Sequence, residues 1–345
     1  MDRTHRLLVS QVAVPYLRRH LRRLSRALRG VPSAKDPEAV HQTRVACRRL
    51  RAALRVFRND IGKRTTRRWR KVFRKLGRVF GAARDLDVEI ASMLGQMGQV
   101  REENILHGLA FWLAHLEEQR HRKQPELIRA IRKFRRKAAI LEMGQWIKRQ
   151  SREMVAAGSS QGGLPVSITK QHRKLLSERL ADLLRTAQSL EDPQDIEGHH
   201  AMRIAAKKLR YSMEALAPCL GVIGEVTIEA LRSLQSLLGE IHDYDVWVER
   251  IRQVLDMISG GKFDGPRWLN PDRFMPGLVF LQNKYQELRE VRFRQLQNLW
   301  HDEKIQGLWQ RLQASGFQAI SEDNAKYADG ARNREDHPDV KTQHP

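Results

Sequence analysis

Cysteine is scarce: Cys47 and Cys219 are the two in 345 residues. That excludes a disulfide framework and a cysteine-rich zinc site. Long apolar runs are missing as well, and nothing approaches the roughly 20 residues of a membrane-spanning helix. The run from Leu7 to Tyr16 is interrupted by Ser10, Gln11 and Pro15 and lacks a small-residue cleavage site, which argues against a signal peptide. A soluble cytoplasmic protein is expected. Aromatics are 6% of the chain, and β-branched residues never cluster for long, so strands are not expected. Acid is in deficit: 40 Asp+Glu face 63 Lys+Arg, a formal charge of +23. Such an excess calls for a polyanionic partner, whether nucleic acid, an acidic membrane surface or a phosphate polymer.

The charge is concentrated. Residues 1–90 hold 25 Lys+Arg and 7 Asp+Glu, whereas residues 161–255 hold 12 and 13. Any polyanion should therefore meet the N-terminal part first.

Helical periodicity runs through most of the chain. It predicts helices over about 4–29, 37–59, 64–80, 85–98, 102–122 and 125–156, then about 168–190, 196–217, 225–238, 243–258, 274–300 and 302–314. The Gly/Ser-rich stretch at 157–166 reads as a linker between a first half (1–156) and a second half (167–316). Residues 317–345 read as a disordered tail.

The halves share motifs. His41-Gln42-Thr43-Arg44 through Arg48-Arg49-Leu50-Arg51 matches His200-Ala201-Met202-Arg203 through Lys207-Lys208-Leu209-Arg210. Further on, Gly81 followed by Arg84-Asp85-Leu86-Asp87-Val88 matches Gly239 followed by His242-Asp243-Tyr244-Asp245-Val246. Two motifs recurring in the same order at nearly one offset point to an internal duplication of domain scale. The predicted fold is all-α, two pseudo-symmetric antiparallel helical bundles.

At about 100° per residue, His41, Arg44, Arg48, Arg51 and Arg55 fall on one helix face about 80° wide. Ala46, Leu50, Ala53 and Phe57 lie opposite. Like charges three and four apart repel by tenths of a kcal/mol per pair, so the stripe makes sense if an anion fills it. Arginine's planar fork grips phosphate oxygens bidentately. The second copy repeats the stripe with His200, Arg203, Lys207 and Arg210. There Glu214 stands where the first copy has Arg55, so an internal salt bridge or a weaker anion contact is expected at that end. Two more basic faces, Arg18, Arg19, Arg22 and Arg26 on one helix and Arg67, Arg70, Arg74 and Arg78 on another, would line a groove if the helices pack side by side.

With these motifs the chain resembles the CHAD family, α-helical domains named for a characteristic histidine. The resemblance runs from about residue 5 to about 315. It implies two pseudo-symmetric helical bundles and a basic surface or central pore that binds inorganic polyphosphate, with association to polyphosphate granules. Its triphosphate-cleaving companion domain would carry an E-x-E-x-K signature, which is absent, so a stand-alone member is expected. Carried over by motif position, the phosphate-contacting candidates are His41, Arg44, Arg48, Arg49 and Arg51, with His200, Arg203, Lys207, Lys208 and Arg210.

The remaining motifs have plainer readings. Glycine before aspartate is a turn signature, so Asp85 and Asp243 are expected to cap helices or to tether arginines of the repeated helix. Joined with His41, Asp85 and Asp87 would be the alternative, a metal site for phosphate hydrolysis, but no paired histidine ligands accompany them, and no cofactor or metal is expected. Surrounding arginines should hold His41 and His200 neutral and a polyanion should favour their protonation, so binding should tighten as pH falls from 8 to 6. Non-specific nucleic-acid binding is the competing function. Single-stranded binders offer aromatic stacking platforms, and here Phe57, Trp69 and Phe73 fall on apolar faces. The uneven charge predicts that the first half holds the anion and the second half shapes the site.

Overall fold

The computed structural model describes residues 3–33, 37–156, 166–262 and 270–317. Among them there is no strand. The first half contains α1 (Arg3–Leu8), α2 (Val14–Gly30), α3 (Pro37–Val56), α4 (Arg58–Ile61), α5 (Lys63–Met97), α6 (Glu103–Arg135) and α7 (Ala138–Ala156). The second contains α8 (Lys170–Thr186), α9 (Ile196–Leu216), α10 (Gly221–Ser259), α11 (Met275–His301) and α12 (Glu303–Ser315). A π turn over Val9–Ala13 joins α1 to α2. The apolar run at the N-terminus packs inside, with Leu8, Ala13 and Leu17 fully buried.

Two expected breaks do not exist. Helix α5 continues through Gly81 and Asp85, and α10 through Gly239 and Asp243. Phe80, Ala83 and Leu86 carry the buried stripe of α5 straight across the supposed turn, and Leu238 and Ile241 do the same in α10. Burial of a continuous face outweighs the cost of one glycine, about 1 kcal/mol. Asp85 and Asp87 cap nothing; neighbouring arginines hold them. The next break is displaced: α6 runs through Pro125, and the chain interrupts at Arg136–Lys137 instead, because Leu127, Ile131 and Phe134 bury the extra turns. Of the expected linker at 157–166, residues 157–165 lie outside the described residues, as does the tail beyond Phe317, and Val166 packs against the larger apolar cluster. Phe317 itself is fully buried, so the packed chain extends one residue past the expected boundary.

The order of packing is alike in the two halves. Helix α3 packs on α5 and α5 on α6, while α9 packs on α10 and α10 on α11. The halves meet where α3 crosses α9 and where α6 crosses α11. Corresponding ion pairs brace them: Arg120 of α6 holds Asp87 at 2.6 Å, and Arg289 of α11 holds Asp245. The apolar clusters do not divide at the linker. The larger includes α2, α3, α8, α9 and the first parts of α5 and α10. The smaller takes Leu86 and Met93 from α5, Trp112 from α6, Trp247 from α10 and Leu278 and Tyr285 from α11. Near the N-terminus, Asp60 is buried between His5 and His172, each at 3.2 Å, which ties the start of the chain to α8.

The α6–α11 crossing depends on two glycines. A Cβ on Gly108 would lie 2.2 Å from the Phe274 carbonyl oxygen and 2.6 Å from the Gly277 Cα. A Cβ on Gly277 would lie 2.3 Å from the Ile105 carbonyl oxygen. Backbone has no rotamer to retreat into. Gly108→Ala should therefore destabilise by at least about 1–3 kcal/mol in urea unfolding. Gly239→Ala has nothing within 4 Å of its new Cβ and should stabilise by about 0.5–1 kcal/mol. Equal effects would contradict the crossing geometry.

Candidate anion-binding cleft

Helices α3, α5, α8 and α9 enclose a cleft of about 570 Å³. Its α3 wall carries Arg44, Arg48, Arg51 and Arg55 in successive turns. Helix α5 adds Arg70 and Arg78, α8 adds Arg179, and α9 adds Lys207 and Lys208. Small residues, Ala52, Gly77, Gly81 and Ala82, leave the space open between the two first-half helices. The single carboxylate in the lining, Asp85, is 2.6 Å from Arg44. Among the described residues, none of the other eight cations pairs with a carboxylate. A smaller hollow of about 320 Å³ shares Arg51 and Arg70 and continues to Arg67, Lys71 and Arg74.

Burial makes this crowding costly. Arg48 is held below the ordinary guanidinium range, first by burial and then by Arg44, Arg210 and Arg203, while Tyr211 opposes the shift. Its guanidinium lies over the buried Tyr211 ring at 5.0 Å, and Arg210 lies over the same ring at 4.5 Å. Buried Arg179 is lowered to about 10 by burial and by Arg55; it donates to the Lys208 carbonyl at 3.1 Å. Lys207 falls to about 8, through burial and then through Arg203, Arg48, Arg44 and Arg51. An anion in the cleft would offset the repulsion among these cations.

Outside the lining, residues of the two motifs lie near one another. Asp243, raised to about 6 chiefly by burial, faces Arg203. His200 lies 3.3 Å from His242, nitrogen to nitrogen, and burial with the nearby cations lowers His242 to about 4. His41 and His200 are both lowered, mainly by burial, with the arginines secondary. Neutral histidines are thus as expected, but burial is the principal cause. His41, Asp85 and Asp87 do not come together: Asp85 faces Arg44 and Asp87 turns to Arg120. Among the described residues no three His, Cys, Asp or Glu side chains form a group able to hold a metal ion.

The expected residues divide sharply. Arg44, Arg48, Arg51, Arg55, Lys207 and Lys208 line the cleft, and His41, His200 and Arg203 lie outside its lining. Arg49 does not belong: one position beyond Arg48, it turns about 100° away and meets Glu214 at 3.3 Å on the far side of α3. Arg210 is also engaged, with Glu214 at 2.6 Å and with Gln235. The salt bridge expected at Glu214 is therefore present, and doubled. Helix α2 does not join the groove. Arg18 donates to Ser151 of α7, Arg19 lies over Tyr16, and Arg22 and Arg26 are exposed on the outer surface.

A CHAD domain model matches residues 15–252. The chain belongs to the CHAD family. Two solved structures share the fold. The CHAD domain from the plant Ricinus communis is 22% identical, with a TM-score of 0.54 over 90% of this chain and 92% of that one. PptA from Streptomyces chartreusis is 17% identical, with a TM-score of 0.58 over 85% and 99%. No curated protein matches. Within this CHAD chain, the motif alone misses Arg179 and Tyr211. Arg179 had a signal, since it interrupts the buried stripe Leu176, Leu180, Leu183 of α8. Tyr211 is simply the residue after the motif's last arginine.

Lys207 would make any polyanion binding at the cleft pH-dependent. A bound polyanion favours its charged form, whereas in the free protein it is largely neutral above about pH 8. Polyanion affinity should fall about tenfold between pH 7 and pH 9, and Lys207→Arg should flatten that profile. His41 and His200 are lowered, mainly by burial, and a bound polyanion would favour their protonation as pH falls. Titration calorimetry across pH checks both; an unchanged profile in Lys207→Arg would refute the assignment.

Proposed function

We propose that this protein binds inorganic polyphosphate without cleaving it, holding the chain in the cleft between α3, α5, α8 and α9. The observation that carries this reading is the cleft lining: nine cations against one carboxylate. A polymer of phosphates offers charge at short, regular spacing and has no bases to read, which suits arginines spaced along a helix. The CHAD family's association with polyphosphate supports the same substrate, and placement at polyphosphate granules belongs to the proposal. No helix of the described residues is long and apolar enough to cross a membrane.

Nucleic acid fits the lining less well. Stacking of bases needs open aromatic faces, and Tyr211, the aromatic residue of the lining, is already covered by Arg48 and Arg210. Hydrolysis would need a nucleophile or metal donors directed at the cleft; its single acid is committed to Arg44.

The test is competition among long polyphosphate, short polyphosphate and single-stranded DNA at matched phosphate, across salt and with Mg²⁺. Polyphosphate should win, with a salt slope of about −0.7 per phosphate engaged, as for single strands. Neutralising Arg44, Arg48 and Arg51 to Gln should weaken binding more than neutralising Arg203, Lys207 and Arg210, because two of the latter three lie outside the lining. Equal competition by DNA, or phosphate release with Mg²⁺, would overturn the reading.

A further inference from the structure

A second cavity lies on the opposite side of the α3–α9 pair. It has a volume of about 680 Å³ and is walled by α2, α3, the end of α9 and the start of α10. Its size falls within the range of small-molecule sites, roughly 300–1,000 Å³. Its chemistry differs from that of the cleft. Arg19, Arg23 and Arg49 stand on the first-half side, and Glu225, Glu229 and Arg232 on α10. Arg232 is paired with Glu229 at 2.6 Å. Glu214 also lines it, so three carboxylates face four arginines. Such a mixed wall attracts a polyanion far less than the cleft does.

Two buried side chains in this cavity have no hydrogen-bond partner. His20 is 1% exposed, and both its ring nitrogens are unsatisfied. Tyr16 is 6% exposed, and its hydroxyl is unsatisfied. The Arg49 Nε also makes no hydrogen bond, although Glu214 is near it. Leaving buried polar groups unpaired costs about 1–3 kcal/mol each, and native proteins leave few so. The α2 residues Tyr16, Arg19, His20 and Arg23 follow at three- and four-residue spacing, so one helix face presents all four to the same space.

We propose that this cavity is a binding site for a small phosphate monoester with a hydroxylated body, of the sugar-phosphate or mononucleotide class. Arginines 19, 23 and 49, with the Tyr16 hydroxyl and a His20 N–H, supply donors for a three-oxygen dianion. A carboxylate has too few oxygens to use them all. Across the cavity, Glu225 and Glu229 accept from hydroxyls, and Val226 and Ile228 pack against the body of the ligand. His20 remains neutral at physiological pH, since burial and the arginines Arg49, Arg19 and Arg23 lower it to about 3. It therefore keeps one donor and one acceptor. The site is independent of the polyphosphate assignment. It is linked to the cleft by contact, because Glu214 pairs with both Arg49 and Arg210, and Arg210 shares the Tyr211 ring with Arg48.

The test uses the full chain with AMP, glucose 6-phosphate and inorganic phosphate as probes, read by calorimetry and by thermal shift. At least one monoester should bind, and more tightly than inorganic phosphate. Tyr16→Phe should weaken it about tenfold while leaving the melting temperature no lower and polyphosphate affinity unchanged. Arg51→Gln, in the other cleft, should leave monoester affinity unchanged. Absence of binding to folded protein by both monoesters at millimolar concentration would overturn the proposal. So would binding that Tyr16→Phe leaves intact or that Arg51→Gln removes, since the ligand would then sit elsewhere. If Tyr16→Phe fails to fold, Arg23→Gln on the exposed rim replaces it, with the same loss expected.

Discussion

Everything in this molecule is arranged around cations that have been denied partners. Most basic proteins spread their charge over the surface, where water and salt screen it. Here α3 places an arginine on one face at nearly every turn, α5 faces it with more, and α8 and α9 close the sides. Ordinarily each arginine would find a carboxylate, as Arg120 and Arg289 do. In the cleft one acid serves nine bases. The apolar faces behind, with Leu50, Phe73, Leu180 and Leu209 fully or almost fully buried, supply the stability that tolerates the repulsion.

The paired motif accounts for the shape of the site. Since α3 and α9 pack on each other, their cationic stripes converge on a shared space rather than facing opposite ways. The contributions are unequal. The first half gives Arg44, Arg48, Arg51, Arg55, Arg70 and Arg78, and the second gives Arg179, Lys207 and Lys208. Glu214 of α9 stands at the position that matches Arg55 of α3, and it pairs with Arg49 and Arg210 on the far side, which leaves that face of the helix pair mixed in charge.

Much of this was legible in the residues. Helical period placed the stripe of α3 opposite Leu50 and Phe57, and the structure buries both. The paired motifs locate the cationic wall, and the regular spacing of Arg70 and Arg78 on one face of α5 marks the residues that join it. Other features required three dimensions. Gly81-to-Asp85 looks like a helix junction because local capping chemistry is all a short window contains; the long buried stripe that overrides it depends on partners distant in sequence. Arg49 and Arg210 satisfy the motif yet point elsewhere, since a motif records spacing and not which side of a helix meets which neighbour. Helix α2 has a basic face as regular as that of α3, and only its packing shows that it turns outward. The missing hydrogen-bond partners of Tyr16 and His20 appear only in the fold.

The central claim is that the cleft arginines are held at an electrostatic cost that a polyanion removes. Melting temperature measured for the parent chain and for Arg51→Gln, with and without long polyphosphate at low salt, tests it most directly. The account predicts that Arg51→Gln alone melts no lower than the parent, because a repelled charge has been removed, while the rise on adding polyphosphate becomes smaller. A variant that melts lower alone yet gains as much from polyphosphate as the parent would contradict it.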